Sequence, residues 1–306
     1  MTNYENTRVW LITGASSGLG KALVNAVLGS NERVVAAVRN TSALAELQAK
    51  YRPEQLAVLP LDVTNTAQID ETFKFIERTF HRLDVVVNMA GYGLCGEIEG
   101  TPDTEARKQI EVIFWGPVNI TKKGVFNTSI RMFRDVNPAG LGGRVLNVSS
   151  AGGYAANTSL AFYSAGKFAL EGFTEAFNRE MPPEWNIKGI IIEPGGFPTN
   201  WGGSGMTILP FHPAYDENSP SHQFRRMREN YPDIGDVNKA AKAMIRIAGE
   251  PDPPQRLQLG SDCWGIVTMR ARKTIQEAEE WAEVSHGTNQ DGYNGMDVLA
   301  QLKEAL

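Results

Sequence analysis

Three side chains in the middle of the chain have the types and spacing to act on one carbonyl or alcohol oxygen: Ser150, Tyr163 and Lys167. If the segment from about Leu160 is helical, Tyr163 and Lys167 lie one turn apart on the same helix face. An ammonium beside a phenol favours the phenolate, so we expect the Tyr163 pKa to fall from about 10 toward the range of a general acid and base. Ser150 follows a strand-like run and can donate to the same oxygen. This spacing also occurs in helices with an ordinary surface lysine. The rest of the sequence must therefore show whether Tyr163 and Lys167 belong to a catalytic site.

The composition is that of a globular chain without a surface for nucleic acid. The 306 residues are 42% apolar and 21% charged, and the net charge of −5 comes without a basic block. No apolar run approaches the roughly 20 residues that cross a bilayer, and the first residues lack a signal-sequence pattern. We expect a cytoplasmic protein with no membrane span and no nucleic-acid partner.

Residue types that bind metals are few and spread along the chain. Cys95 and Cys263 are the only cysteines, which fits a reducing compartment, and they offer no metal-ligand spacing. The histidines are also scattered: His81, His212, His222 and His286. We expect no metal site.

Short apolar runs alternate with helical patterns, and this alternation predicts an α/β fold with a doubly wound parallel sheet. The predicted strands are 9–13, 33–38, 56–59, 84–88, 144–148, 189–192 and 256–259. The predicted helices are 21–28, 42–51, 67–80, 104–114, 161–181, 236–247, 264–284 and a last turn or two within 296–306. Ser42 and Asp236 are the expected N-caps of their helices.

The regular pattern breaks after residue 193. Residues 194–236 carry proline, glycine and aromatic residues without clear periodicity, and a long irregular stretch in a compact domain is usually functional or mobile. No repeat or change in composition marks a linker. We therefore predict a single domain, 1–306, with this segment inserted at about 194–236 and a C-terminal extension at about 262–306.

A glycine-rich turn joins the first predicted strand to the first helix. A helix N-terminus presents unpaired N–H groups, and glycine lets a phosphate approach the backbone, so this turn suits a pyrophosphate. An ordinary tight turn is the alternative, but a glycine motif between a buried strand and a helix is the context that dinucleotide sites require. The expected binding residues are Gly14, Ser16, Ser17, Gly18, Leu19 and Gly20.

The end of the second strand favours NADPH or NADP⁺ over NAD. An NAD site normally has an acidic residue here, whereas this chain has Arg39, whose guanidinium can bind a 2′-phosphate. Arg39 could instead be an ordinary solvated residue. Asp62 and Val63 follow the third strand; the Asp62 carboxylate could meet the adenine amino group or cap the next helix.

From about residue 8 to residue 259 the chain resembles the short-chain dehydrogenase/reductase family. The resemblance rests on the glycine motif, on Ser150 with Tyr163 and Lys167, and on two further groups that follow predicted strands: Asn88, Ala90 and Gly91, and Pro194 and Gly195 with Thr199. Among its members, the chain looks most like 17β-hydroxysteroid and retinol dehydrogenases.

The resemblance implies a Rossmann fold and a role for each matched residue. Ser150 and Tyr163 would bind the substrate oxygen and Tyr163 would transfer the proton. Lys167 would bind the nicotinamide ribose and lower the Tyr163 pKa, and Thr199 would contact the carboxamide. Family members commonly pair through two long helices, here about 104–133 and 161–181, so a homodimer or homotetramer is expected by analogy.

The sequence departs from the family pattern at Ile113, where many members have an asparagine that holds a water behind the lysine. Isoleucine cannot hold a water, so we expect another proton route or a reduced turnover. Residues 122–142 also look longer than the usual connection, with Gly124 and Asn127 where helix is expected.

In this family the segment after Pro194 and Gly195 covers the substrate. The expected substrate-binding residues are apolar or aromatic, namely Tyr92, Tyr154, Phe197 and Trp201. Such walls favour a bulky hydrophobic ketone or aldehyde over a sugar or acid as the small-molecule partner. Alternatively, about half of these side chains only pack the segment onto the core.

Three functions remain open from the sequence. The first is an NADPH-dependent carbonyl reductase. The second is a non-redox cyclase or isomerase of secondary metabolism on the same scaffold, motivated by Ile113. The third is a cofactor-sensing interaction protein, which the complete set of Ser150, Tyr163 and Lys167 disfavours because binding alone does not need all three.

Overall fold

A computed structural model describes residues 7–122, 132–138 and 140–302. Its main feature is a seven-stranded parallel sheet with the order β3-β2-β1-β4-β6-β7-β9. These strands are β1 (Val9–Thr13), β2 (Arg33–Val38), β3 (Leu56–Pro60), β4 (Val85–Asn88), β6 (Gly143–Val148), β7 (Ile187–Pro194) and β9 (Arg256–Leu259). The predicted α/β fold with a doubly wound sheet is confirmed.

The helices follow the predicted alternation with small shifts at their ends. They are α1 (Gly18–Gly29), α2 (Ala45–Lys50), α3 (Thr66–Phe80), α4 (Asp103–Ile110), α5 (Gly116–Lys122), α6 (Ala161–Glu180), α7 (Pro220–Glu229), α8 (Val237–Ile247), α9 (Ser261–Glu280), α10 (Ala282–His286) and α11 (Gly295–Leu302). A π-helical turn, Glu111–Trp115, joins α4 to α5, and another covers Met132–Val136.

The sheet is buried on both faces, which is why its strands are continuous apolar runs. Along β1, Trp10 and Ile12 belong to one core cluster while Val9 and Leu11 belong to the other. The strand order reverses between β1 and β4, and in such sheets ligands bind outside the carboxyl ends of the strands at this point. The glycine turn follows β1, Asn88 is the last residue of β4, and Ser150 follows the neighbouring strand β6.

The segment 194–236 is more regular than its sequence indicates. It contains a short strand, β8 (Met206–Ile208), which pairs in parallel with β5 (Gly93–Cys95), and it contains α7. The buried residues of α7 are Ser221 and Arg225, so this helix has no apolar stripe by which to recognise it.

Of the local predictions, the Ser42 cap is wrong and the Asp236 cap is confirmed. Ser42 is not the N-cap of a helix: a 3₁₀ turn, Thr41–Leu44, precedes α2, and the Asn40 side chain caps it by accepting from the Ser42 N–H. Asp236 does cap its helix, accepting from the N–H groups of Asn238 and Lys239. The unusual positions Gly124 and Asn127 lie outside the described residues.

The chain separates into two compact units, Met1–Trp264 and Gly265–Leu306. The first holds the sheet and all candidate site residues. The second consists of the rest of α9 together with α10 and α11. The single-domain assignment stays a prediction. Among the described residues no helix has the length and apolar character needed to cross a bilayer.

Candidate active site

The glycine turn is built so that side chains could not replace its glycines. Gly14 and Gly18 have positive φ angles of 68° and 50°, where glycine is favoured. A Cβ on Gly14 would lie 3.0 Å from the Ala90 backbone, and one on Gly18 would lie 2.9 Å from the Thr199 methyl group. A Cβ on Gly20 would lie 2.3 Å from the Gly14 oxygen. The turn therefore packs tightly against the two loops that follow β4 and β7.

The start of α1 leaves its amide donors available for a ligand. Its N-cap, Ser17, makes no side-chain capping bond. The first N–H groups of a helix lack partners within the helix and carry its partial positive charge. Ser17 is exposed, Ser16 is half-buried, and Leu19 is half-buried against the core. These features fit a phosphate group held by main-chain donors.

Thr13, which sequence analysis did not assign to the site, fixes the glycine turn to the loop after β4. Its buried hydroxyl donates to the Val87 oxygen at 3.2 Å and accepts from the Met89 and Ala90 N–H groups at 3.0 and 3.1 Å. Its position directly before Gly14 is the signal that could have indicated this role. One hydroxyl thus holds β1 and β4 together at the switch point.

Arg39 is exposed and lies close enough to Asp62 to contribute to lowering its pKa. The larger cause is the main-chain N–H of Thr64, which donates to Asp62 Oδ1 at 2.9 Å. Asp62 does not cap α3, because Asn65 accepts from Ala67 and Gln68 there. The Val63 side chain is buried and faces Gly116, so only its main chain is available for a cofactor.

Ser150 and Tyr163, thirteen residues apart in the sequence, come together in the structure. Ser150 Oγ accepts from the Gly152 N–H at 3.1 Å, which leaves its own proton to be donated elsewhere. Burial raises the Tyr163 pKa to about 12, and a hydrogen bond with Ser150 opposes this rise. The predicted lowering of the Tyr163 pKa is therefore wrong for this structure. Its phenol stays protonated at neutral pH.

Lys167 is turned toward the sheet. Its Nζ donates to the Val148 oxygen at 2.7 Å and lies 5.7 Å from the centroid of the Tyr163 ring. Burial lowers the Lys167 pKa from 10.5 to about 8, and the nearby Glu171 carboxylate partly offsets this. The ammonium is thus near the phenol, but its strongest contact is a main-chain oxygen at the end of β6.

Asn88 is the last residue of β4 and belongs to a buried chain of hydrogen bonds that runs from β4 to β6 and on to α6. Its Nδ2 donates to Asn147 Oδ1 at 2.8 Å, and Asn147 Nδ2 donates to Thr174 Oγ1 at 2.9 Å. Asn88 Oδ1 has no hydrogen-bond partner among the described residues. Ala90 is half-buried beside Gly14, while Gly91 is exposed beside Ile113.

Ile113 lies in the π-helical turn and is fully buried in an apolar cluster around Tyr163. A Cβ on Gly166, one turn from Tyr163 on α6, would lie 2.7 Å from the Ile113 side chain. Trp201 covers the same cluster, with its ring centroid 5.2 Å from that of Tyr163. Tyr163 is only 6% exposed.

The turn after β7 is held by Asp262, which sequence analysis did not identify. Asp262 Oδ2 accepts from the Gly196 N–H at 2.7 Å, and the Gly195 N–H donates to the Leu259 oxygen at 2.9 Å. Pro194 is the last residue of β7 and pairs with Leu259. Thr199 turns its methyl group to Gly18, while its hydroxyl accepts from the Trp201 N–H at 3.3 Å.

The other predicted substrate residues do not gather around Tyr163. Phe197 belongs to the main core cluster and packs against Gly235. Tyr154 stacks near Arg256, whose guanidinium lies 5.8 Å from its ring centroid. Tyr92 is half-buried with no partner for its hydroxyl among the described residues.

A buried ion pair anchors α7, which lies in the inserted segment 194–236. Arg225 on α7 donates to both carboxylate oxygens of Glu97 at 3.0 and 3.1 Å, and to the Leu209 oxygen at 2.8 Å. Both charged side chains are nearly inaccessible to solvent. Their separation of 128 positions explains why sequence patterns could not pair them.

Comparison with known proteins places this arrangement in a family. Residues 8–205 match the family model described as short chain dehydrogenase, and the chain belongs to this family. An uncharacterized oxidoreductase of Schizosaccharomyces pombe is 36% identical over 290 residues, which cover 94% of each chain. A short-chain dehydrogenase from Streptomyces avermitilis has a similar structure, with a TM-score of 0.82 at 34% identity over 93% of this chain and 99% of that one.

A third protein shares the fold at lower identity. It is a short-chain dehydrogenase from Burkholderia cenocepacia, solved in complex with NADP, with a TM-score of 0.65 at 23% identity over 91% of this chain and 98% of that one. The family match and the relative in Schizosaccharomyces pombe show that the chain is an oxidoreductase of the short-chain dehydrogenase family.

Proposed function

We propose that this chain uses NADPH to reduce the carbonyl of a hydrophobic ketone or aldehyde, or runs the matching alcohol oxidation. The observation that carries the proposal is the Ser150–Tyr163 pair with Lys167 one turn away, at the same carboxyl edge of the sheet as the glycine turn. The protonated state of Tyr163 at neutral pH favours reduction, because the carbonyl oxygen needs a proton.

Tyr163, Ser150 and Lys167 have different roles in the reduction. Tyr163 gives its hydroxyl proton to the carbonyl oxygen, so that C=O becomes C–OH, while Ser150 holds that oxygen with its free hydroxyl proton. A bound reduced nicotinamide supplies the hydride for the carbonyl carbon. The Lys167 ammonium stabilises the phenolate that Tyr163 leaves behind, and water protonates it again before the next turnover.

Several features support NADPH as the cofactor. Glycines at Gly14 and Gly18 leave room that a Cβ would fill, and the uncapped start of α1 offers main-chain donors to a pyrophosphate. Exposed Arg39 beside Asp62 suits a 2′-phosphate next to adenine. The NADP in the Burkholderia protein supports a nicotinamide cofactor for this chain.

The apolar cluster over Tyr163, which includes Trp201, Ile113 and Met206, supports an apolar substrate. We infer a small hydrophobic carbonyl compound, without naming a steroid or retinoid, although the sequence pattern resembles those dehydrogenases. A homodimer or homotetramer paired through the helical stretches at about 104–133 and 161–181 is part of the proposal, and it is supported by the exposed rings of Trp115 in the π-helical turn after α4 and of Phe168 on α6.

One experiment tests the redox step directly. NADPH labelled with deuterium at both C4 positions is incubated with the protein and a panel of lipophilic ketones and aldehydes. We expect an alcohol with one deuterium on the former carbonyl carbon and an equal amount of NADP⁺. Failure of the whole panel to yield labelled alcohol would refute the proposal.

The buried Ile113 favours a second candidate, a non-redox cyclase or isomerase of secondary metabolism. Ile113 leaves only apolar groups on its side of Tyr163, so proton exchange with water is restricted there. This function requires product formation without NADPH consumption. An unchanged or higher reductase rate in Ile113→Asn would speak against it.

A further inference from the structure

Two buried carboxyl groups, Glu171 and Glu193, lie beneath the proposed active site and have no role in the steps above. Glu171 is on α6, one turn after Lys167, and is 3% exposed. Glu193 is near the end of β7, opposite Gln258 of β9, and is 0% exposed. An ionised carboxylate buried to this degree is costly unless each oxygen is paired.

The hydrogen bonds account for three of the four carboxyl oxygens. Glu171 Oε1 accepts from the Ser149 hydroxyl at 2.6 Å, and Glu171 Oε2 accepts from Arg256 Nε at 3.1 Å. Glu193 Oε2 accepts from Gln258 Nε2. Glu193 Oε1 has no donor among the described residues, although the side chains of Glu171 and Glu193 are within interaction range.

A single proton resolves this imbalance. Placed on Glu193 Oε1, it turns an unpaired buried acceptor into a donor and makes Glu193 neutral. Glu171 is then its acceptor and keeps the negative charge, which Arg256 and Lys167 face. Two like charges at one buried site make full ionisation unfavourable, as in other carboxyl pairs that share a proton.

The pair is linked to the proposed active site by direct packing. A Cβ on Gly153 would lie 2.2 Å from Ser149 Oγ, 2.6 Å from Glu171 Oε1 and 3.0 Å from Lys167 Cβ. Gly153 also donates its N–H to the Ser150 oxygen at 2.9 Å. The turn that carries Ser150 therefore rests on Glu171.

We propose that Glu171 and Glu193 are positioning residues that share one proton at neutral pH and, through Lys167, set the pH range in which the Ser150–Tyr163–Lys167 site works. This inference rests on the proposed function. Burial raises the pKa of both carboxyls, that of Glu171 to about 7, in agreement with a shared proton.

Other charged and titratable groups around the pair come from each neighbouring element. The Cys263 pKa is raised to about 12, by burial first and then by Glu193, so its thiol stays neutral. Arg256 also pairs with Glu175, which is half-exposed one turn further along α6. The full set is Lys167 and Glu175 on α6, Arg256 on β9, Asp262 and Cys263 at the start of α9, and Tyr154 against Arg256.

Infrared spectroscopy at pH 7 tests the shared proton without cofactor or substrate. The wild-type protein should show the C=O stretch of a buried protonated carboxyl, and Glu193→Gln, which keeps the shape and neutrality of the protonated acid, should lack it. Glu175→Gln is the matched control and should retain the band. No band in the wild type, or an unchanged band in Glu193→Gln, would overturn the proposal.

The effect on Lys167 is measured by titrating its ¹⁵N-labelled ammonium by NMR, with the signal assigned by its loss in Lys167→Arg. Glu171→Gln should lower the Lys167 pKa by about one unit, because a nearby negative charge is removed, and the alkaline limb of the reductase pH profile should move with it. Glu175→Gln should leave both in place. A Lys167 pKa unchanged in folded Glu171→Gln would refute the coupling, whereas absent reductase activity with these shifts present would refute only the proposed function.

Discussion

Lys167 Nζ donates a 2.7 Å hydrogen bond to the main-chain oxygen of Val148, the last residue of β6. This bond fixes the ammonium between the strand that leads to Ser150 and the helix that carries Tyr163. It also means that the lysine is held by the sheet before any cofactor binds.

Replacing Tyr163 by Phe should reduce kcat/KM for carbonyl reduction by about 10²–10⁴-fold, because the proton donor is lost while the buried ring stays. Tyr154→Phe is the control, since Tyr154 packs against Arg256 instead. Steady-state NADPH oxidation measures both. Equal rates in wild type and Tyr163→Phe would exclude the proposed role.

The pH profile of reduction should show an alkaline limb with an apparent pKa of about 8. Burial lowers the Lys167 pKa from 10.5 to about 8, so the stabilising ammonium is present below this pH and is lost as the pH rises through it. Lys167→Arg should lose the limb, because arginine stays charged. A limb at the ordinary lysine value of 10.5 would contradict the burial effect.

The same Lys167 pKa has a consequence for stability. Between about 8 and 10.5 the native state binds fewer protons than the unfolded state, so this group makes the free energy of unfolding increase with pH in that window. Lys167→Met should remove this contribution. Urea unfolding at both ends of the window measures it, and identical pH slopes in the two proteins would count against it.

Gly18→Ala should weaken NADPH binding and lower the free energy of unfolding by about 1–2 kcal/mol, since alanine is disfavoured at positive φ and its Cβ meets Thr199. Gly29→Ala, at the end of the same helix, has no atom within 4 Å of the new Cβ. It should be neutral or stabilising by up to about 1 kcal/mol. Cofactor titration and thermal melts compare the two, and similar losses in both would contradict the steric explanation.

Arg39→Ala should raise the Kd for NADPH by about 10–100-fold and leave the Kd for NADH nearly unchanged, because a charge-assisted hydrogen bond contributes about 1.5–3 kcal/mol. Arg52→Ala, beyond α2, serves as the surface control. Fluorescence titration gives both constants. If the Kd values for NADPH and NADH rose equally, Arg39 would not be binding the 2′-phosphate.

Arg225→Met should lower the free energy of unfolding by about 3–5 kcal/mol, because it leaves the Glu97 carboxylate buried without its partner. Arg226→Met, the next residue of α7, is exposed and should cost less than about 0.5 kcal/mol. Denaturant unfolding separates them. A loss of similar size in both variants would show that the helix, and not the ion pair, is the sensitive feature.

The sequence by itself determined the fold, the glycine turn and the three residues Ser150, Tyr163 and Lys167, but not Thr13 or Asp262. The strands of the sheet are short apolar runs because both faces of the sheet are buried, and this pattern is local enough to read along the chain. The glycines of the turn were likewise predictable, because backbone conformation and close approach restrict Gly14 and Gly18 to one residue type.

Only the tertiary structure decided how these residues are charged and paired. The burial of Tyr163 under Trp201 raises a pKa that the Tyr163–Lys167 spacing alone predicted to fall. Glu171 on α6 interacts with Glu193 on β7. Arg225 donates to Glu97, which lies 128 positions earlier in the sequence. These contacts depend on desolvation and on neighbours that are distant along the chain, neither of which a local pattern contains.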